Sequence, residues 1–218
     1  MRPVVGYYGY WVFLTYLGMV SSVTGIYFAL GGNIGYAVIC LMISGLCDML
    51  DGPVARLKKR NEREKSYGIQ VDAFADLISF GALPIVIGYA ASPYINEPVS
   101  FVMVPHIAIS AMYILAALIR LSYFNVIEIE LQNKKEKRKY YEGMPVTFVA
   151  ILIPLIYSLH ICFNIDFFLM SKILLVVMSI AFVVKIKIPK LRGRQLLVFV
   201  AIGLPIIIYL LWNIRAKM

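Results

Sequence analysis

The 218-residue chain contains only two histidines, three cysteines and five aspartates. Each shortage excludes something. Cys40, Cys47 and Cys162 are odd in number and lie in or near apolar runs, so there is no disulfide framework and no thiolate metal spacing. With so few histidines and cysteines, none is placed to suggest zinc, and helix packing or interfacial placement accounts for His106 and His160. Apolar-polar alternation over about ten residues is missing, which excludes a membrane β-barrel. Internal repeats, low-complexity tracts and a polar soluble domain are missing as well.

What fills the chain instead is apolar surface. It is 61% hydrophobic, with a mean hydropathy of +0.81. A spanning helix needs about 20 apolar residues. Seven segments qualify: 8–29, 33–53, 69–91, 100–127, 145–163, 167–187 and 194–213. The first exceeds a signal-peptide core in length, and no small-residue cleavage site follows it, so it is expected to remain as a helix. The expectation is an all-α integral membrane protein of one domain over 1–218. A short interfacial helix is expected near 128–143, and kinks are expected at Pro84, Pro105, Pro154 and Pro205.

The net charge of +9 does not point to nucleic acid, because of where the charge sits. All of the 21 basic residues except Arg120, Lys172, Arg215 and Lys217 fall near the N-terminus or in the segments Arg56–Lys65, Lys134–Lys139 and Lys185–Arg194. With seven helices these lie on one side, which the positive-inside rule makes cytoplasmic. Most of them set topology and meet anionic lipid headgroups.

Four of the five aspartates crowd into residues 47–76, "CDMLDGPVARLKKRNEREKSYGIQVDAFAD". Asp48 and Asp51 are three apart on the second predicted helix, and Asp72 and Asp76 four apart on the third. Each pair therefore shares a helix face. An aspartate at a spanning helix centre costs about 2.5–3.5 kcal/mol, and four together repel one another. A divalent cation resolves the conflict, and hard oxygen ligands on a rigid frame suit Mg²⁺ or Mn²⁺. Gly52 and Gly68 leave room for a close approach. Pro53 is expected to bend the second helix. Arg56, one turn beyond Gly52, can reach a phosphate as a bidentate donor. Carboxylates, metal, arginine and glycine clearance at a membrane interface describe a diphosphate site. The alternative is an acid-lined ion or proton transporter, which leaves Gly52, Arg56 and Gly68 unexplained and lacks the repeats common in transporters. Arg120 lies within the fourth span, where an arginine needs an anionic partner or snorkels toward the interface.

The series Asp48-x2-Asp51-Gly52-x2-Ala55-Arg56, then Gly68-x3-Asp72-x3-Asp76, resembles the signature of the CDP-alcohol phosphatidyltransferases. Residues 57–67 make a linker of eleven where the family commonly has eight or nine. The segments "DAFADLISFGALP", "IRLSYFNV", "YYEGMPV" and "KIKIPK" are similar to those of the phosphatidylserine synthase branch, with Tyr123 where that branch has a second arginine. The likeness runs from about residue 10 to 192.

The resemblance implies a six-helix core over about 8–192 plus one added C-terminal helix at about 194–214. It implies that serine displaces CMP from CDP-diacylglycerol, giving phosphatidylserine. The metal ligands would be Asp48, Asp51, Asp72 and Asp76 around a pair of Mg²⁺ or Mn²⁺ ions. Asp76 would also be the general base, with late, concerted deprotonation. Gly52, Ala55, Arg56, Gly68 and Thr15 would contact the CDP moiety; Gly18 stands where an asparagine is common. Arg120 is the candidate cation for serine, followed by Asn125 and Glu142. Glycerol 3-phosphate or inositol phosphate as acceptor, and an ether-linked donor lipid, are the alternatives within the family. A homodimer with one site per protomer, active on the cytoplasmic side of the cell membrane, completes the expectation.

Overall fold

The structure, a computed structural model, describes residues 6–95, 104–134, 140–185, 187–189 and 194–216. Its helices are α1 (Tyr10–Leu30), α2 (Ile34–Arg56), α3 (Glu62–Asp76), α4 (Leu83–Ala90), α5 (Val104–Lys134), α6 (Val149–Phe163), α7 (Phe167–Val183) and α8 (Arg194–Ala216). A π-helical segment, Leu77–Ala82, joins α3 to α4. Together they make one span, Glu62–Ala90. Each of the seven apolar segments of the sequence falls on a helix or a joined pair of helices. Five are long and apolar enough to cross a bilayer by length and composition, and Phe167–Val183 and Gly203–Asn213 are shorter apolar helices.

Small residues set how the first two helices meet. Gly18, Ser22, Gly25 and Ala29 are buried on α1, facing Ala37, Cys40, Ser44 and Cys47 on α2. A Cβ on Gly25 would lie 2.9 Å from Cys40 Cβ, and one on Gly18 would lie 3.2 Å from Cys47 Cβ. Without a large hydrophobic gain between helices in lipid, such close backbone packing is what holds them. The opposite stripe of α1, with Phe13, Leu17, Val20 and Tyr27, is exposed and suits a lipid-facing surface.

The core is continuous from α1 to α8. Leu41, Phe80, Leu83, Ile87, Tyr113, Val149, Ile153, Leu175, Met178 and Leu210 all belong to it and are almost fully buried. Helix ends follow local chemistry. Asn61 and Glu64 form a reciprocal capping box at the start of α3, satisfying two otherwise orphaned donors. The fifth aspartate, Asp166, caps α7 by accepting from Leu169 N at 3.2 Å. Asn164, at φ 53°, ends α6 in the left-handed conformation.

Several local expectations need correction. Among the described residues no separate interfacial helix follows residue 127, because α5 runs on to Lys134. Tyr140–Glu142 is a short strand instead, paired antiparallel with Lys187–Pro189 in the register Tyr140 to Pro189. This ribbon brings together the α5–α6 and α7–α8 connections. Gly68 does not begin α3 but lies inside it, since the Asn61 cap starts the helix seven residues earlier. Helix α2 continues through Pro53 to Arg56. Pro105 is the second residue of α5 as described, a first-turn position where a missing N–H is tolerated.

Candidate active site

The α1–α2 packing places Thr15 beside Asp51, and its hydroxyl donates to Asp51 Oδ2 at 2.9 Å. Both residues are 8% exposed. The turn between α2 and α3 makes the two helices antiparallel, so their acid pairs meet in two layers. Asp48 and Asp76 lie within hydrogen-bonding reach of each other, and so do Asp51 and Asp72. One oxygen each from Asp48, Asp72 and Asp76 lies within 4.8 Å of the others. Oxygen ligands sit about 2.0–2.1 Å from Mg²⁺, so facing ligands in one shell are about 4 Å apart. The trio fits a small divalent cation, and it is hard-oxygen throughout. Asp51 stands just outside it, held by Thr15.

The acids surround a recess of about 10 Å³, also lined by Gly18, Ser44, Ser79 and Phe80. That is about the volume of one water-sized sphere. Its floor is a hydroxyl cluster, with Ser22 Oγ bonded to Ser44 Oγ at 2.7 Å and to Ser79 Oγ at 2.6 Å. Gly18 O is within hydrogen-bonding distance of Ser44 Oγ and Ser22 Oγ, at 2.9 and 3.1 Å, as an alternative acceptor for their single hydroxyl protons. These three serines, all buried, tie α1, α2 and the π segment together directly beneath the carboxylates.

The π segment starts immediately after Asp76. Such insertions shift the register of a helix and recur at functional sites. Pro84 has no N–H to give the carbonyl one turn back, that of Phe80. Tyr113 Oη, from α5, donates to that carbonyl at 2.5 Å. The helix carrying Asp76 is thereby braced from outside, by a residue fully buried in the core.

The other expected residues fall in two places. On α2, a Cβ at Gly52 would meet only Arg56 Nη1, at 3.8 Å. Arg56 therefore folds back over an otherwise open glycine, and Ala55 is half-buried beside it. Gly68 is enclosed differently, by Trp11 and Arg60. Arg120 is buried on α5, beside the ring of Phe124 and against Gly143, whose Cβ would lie 2.9 Å from Arg120 Nη1. Neither Arg120 nor Asn125 lines the acid recess. Five positions apart, they project about 140° from each other around α5, so the structure does not bring these two together. Lys185 Nζ lies over the ring of Tyr123, 5.3 Å from its centroid. The side chains of Glu142 and Lys187 lie outside the described residues.

Sequence reasoning missed the serine floor, the Tyr113 brace, Trp11 and Arg60. The π segment carried one available signal: a proline eight residues after Asp76, inside an unbroken apolar span.

Two antiparallel membrane helices carrying facing acid pairs, with glycine and arginine at the outer turn, define a class. The model of the CDP-alcohol phosphatidyltransferase family matches residues 12–186, and the chain belongs to that family. It is an integral membrane protein, and α8 lies beyond the matched region. Among individual proteins, it is 32% identical over 149 residues to the CDP-diacylglycerol--serine O-phosphatidyltransferase of Saccharomyces cerevisiae, covering 66% of this chain and 50% of that protein. To the archaetidylserine synthase of Methanothermobacter thermautotrophicus it is 26% identical over 183 residues, 83% of this chain and 69% of that one. To the CDP-diacylglycerol--serine O-phosphatidyltransferase of Mycobacterium leprae it is 29% identical, covering 63% of this chain and 43% of the relative. The chain thus spans about half the length of the yeast and mycobacterial relatives it matches.

Proposed function

We propose that this chain transfers the phosphatidyl group of CDP-diacylglycerol to L-serine, giving phosphatidylserine and CMP. The meeting of Asp48, Asp72 and Asp76 across α2 and α3 carries the reading. Family membership and the serine-specific names of its relatives support it. The serine hydroxyl oxygen forms a bond to the lipid-side phosphorus. The bond from that phosphorus to the bridging oxygen breaks, and CMP leaves with the electron pair. The hydroxyl proton passes to Asp76.

The four aspartates would hold Mg²⁺ or Mn²⁺, two ions in the full site. When bound, the metal neutralises the diphosphate and stabilises charge on the departing CMP. Asp51, fixed by Thr15, keeps one carboxylate oriented. Asp76, beside Asp48, accepts the proton late, concerted with attack, because a carboxylate near a metal is a weak base. Arg56 over Gly52 binds phosphate as a fork. Ala55, Gly68 and Thr15 complete the CDP side. Arg120 supplies the cation for the serine carboxylate.

The whole chain acts as one domain, with α8 added to a six-helix core. The N-terminus and the acids face the cytoplasm, following the basic connections. The working assembly is a homodimer with one site per protomer. A second donor is supported by the archaeal relative, namely an ether-linked CDP-lipid giving archaetidylserine. It differs only in the lipid tails, away from the reacting atoms. Purified full chain supplied with CDP-diacylglycerol should release CMP when serine is added. Release with glycerol 3-phosphate or inositol phosphate but not with serine would assign a different acceptor. Ion flux without CMP release would mark a transporter.

A further inference from the structure

Gly68 stands one turn before Asp72 on α3, on the same face and about 6 Å further out. A Cβ there would meet Trp11 Cζ3 at 3.1 Å and Arg60 Nη1 at 3.2 Å. The guanidinium of Arg60 lies over the indole, 5.2 Å from the ring centroid. Trp11 is 2% exposed, and its other edge is wedged against Gly9, where a Cβ would come 2.5 Å from Nε1. The indole is therefore a fixed shelf between α1 and α3.

The connection carrying Arg60 is anchored on both sides. Asn61 and Glu64 exchange bonds of 3.0 and 2.8 Å, and Lys58 pairs with Glu64 at 3.2 Å. Stacking uses the face of a guanidinium and leaves its in-plane N–H groups free to donate. Arg60 is also close enough for its charge to act on Asp51. Across the mouth, Arg56 overhangs Gly52. Two arginines thus overhang two glycines, one on each acid-bearing helix, just outside the carboxylate layers. The linker that supplies Arg60 is the one longer than the family commonly has.

We infer that Arg60 is a second diphosphate-binding residue, opposing Arg56, and that Trp11 is the positioning residue that holds it. The inference rests on the CDP-lipid reading of the acid site. A diphosphate offers oxygens on two phosphorus atoms, and two guanidinium forks from opposite helices match that demand better than one.

The test uses the full chain in detergent with Mg²⁺. Trp212 is the only other tryptophan and is 76% exposed on α8, so Trp212→Phe leaves Trp11 as the sole indole reporter. Titration with CDP should change its emission. Arg60→Gln should weaken CDP at least tenfold and CMP distinctly less, because only CDP presents the second phosphate. Trp11→Leu, read by calorimetry, should weaken CDP similarly and add little to Arg60→Gln. CDP affinity within twofold of the parent in a folded Arg60→Gln protein would overturn the inference. If that variant does not fold, Arg60→Lys decides: it keeps the charge but loses the fork, and unchanged CDP affinity would overturn the inference. Asp72→Asn separates the two levels. If it abolishes CDP binding while Arg60→Gln leaves CDP affinity within twofold of the parent, only the Arg60 assignment falls. If the parent binds neither nucleotide, the CDP reading falls, and the inference with it.

Discussion

The Thr15 hydroxyl donates to Asp51 Oδ2 at 2.9 Å, linking α1 to α2 across 36 positions of sequence. Hydrogen bonds to charged groups contribute about 1.5–3 kcal/mol. Thr15→Val keeps the shape and removes the donor. It should lower stability by an amount in that range and weaken CDP binding several-fold, measured by thermal melting and calorimetry. Thr15→Ser should restore both. Equal losses in the valine and serine variants would assign Thr15 to packing alone.

The carboxylate trio predicts metal-dependent stability. An ion that binds only the folded chain adds about 2.7 kcal/mol at a hundredfold excess over its dissociation constant. Titrating Mg²⁺ or Mn²⁺ into chelator-treated protein should therefore raise the melting temperature, and EDTA should reverse the rise and stop CMP release. Asp48→Asn and Asp72→Asn should flatten the dependence. A melting temperature indifferent to both ions would remove the metal from the site.

Asp76 is assigned a proton-accepting role as well as a ligand role. Asp76→Asn should reduce serine-dependent CMP release by about 10²–10⁴-fold, the usual range for a general base, while CDP-lipid still binds. Retained turnover, or a chain that no longer folds, would withdraw that role.

Gly143, at φ +77°, lies against Arg120. A methyl there would come 2.9 Å from Arg120 Nη1 and 3.2 Å from the carbonyl oxygens of Phe182 and Val184. Gly143→Ala combines backbone strain of about 1–2 kcal/mol with displacement of the guanidinium. The KM for serine should rise while the KM for CDP-diacylglycerol stays near the parent value. A matched rise in both would place Arg120 outside the serine site.

The acid site was legible because its information is local. Spacings of three and four on two apolar helices joined by a charged turn leave little choice of geometry, and Asp48, Asp51, Asp72 and Asp76 do converge. The apolar helices were legible for the same reason, since apolar length is a direct signal; five of them are long enough to span a bilayer. What escaped depends on partners remote in sequence. Tyr113 looked like one more aromatic in a greasy helix until Phe80 O was seen to need a donor. Ser22, Ser44 and Ser79 lie 22 and 57 positions apart, and no spacing rule joins them. Arg60 read as one charge among many, because its meaning comes from the Trp11 face beneath it. Gly68 offers clearance for a ligand in the sequence, and in the structure the Trp11 ring and Arg60 Nη1 border that clearance.

The hydroxyl floor formed by Ser22, Ser44 and Ser79 is followed toward the far leaflet by Val38, Leu41, Leu83 and Ile87, all fully buried. The carboxylates therefore sit in a blind recess, open at one face and backed by dry packing. An ionised cluster within a bilayer would ordinarily endanger the transmembrane proton gradient, yet among the described residues buried apolar side chains close the recess on its inner side. Vesicles carrying the protein should hold an imposed pH difference as long as protein-free ones.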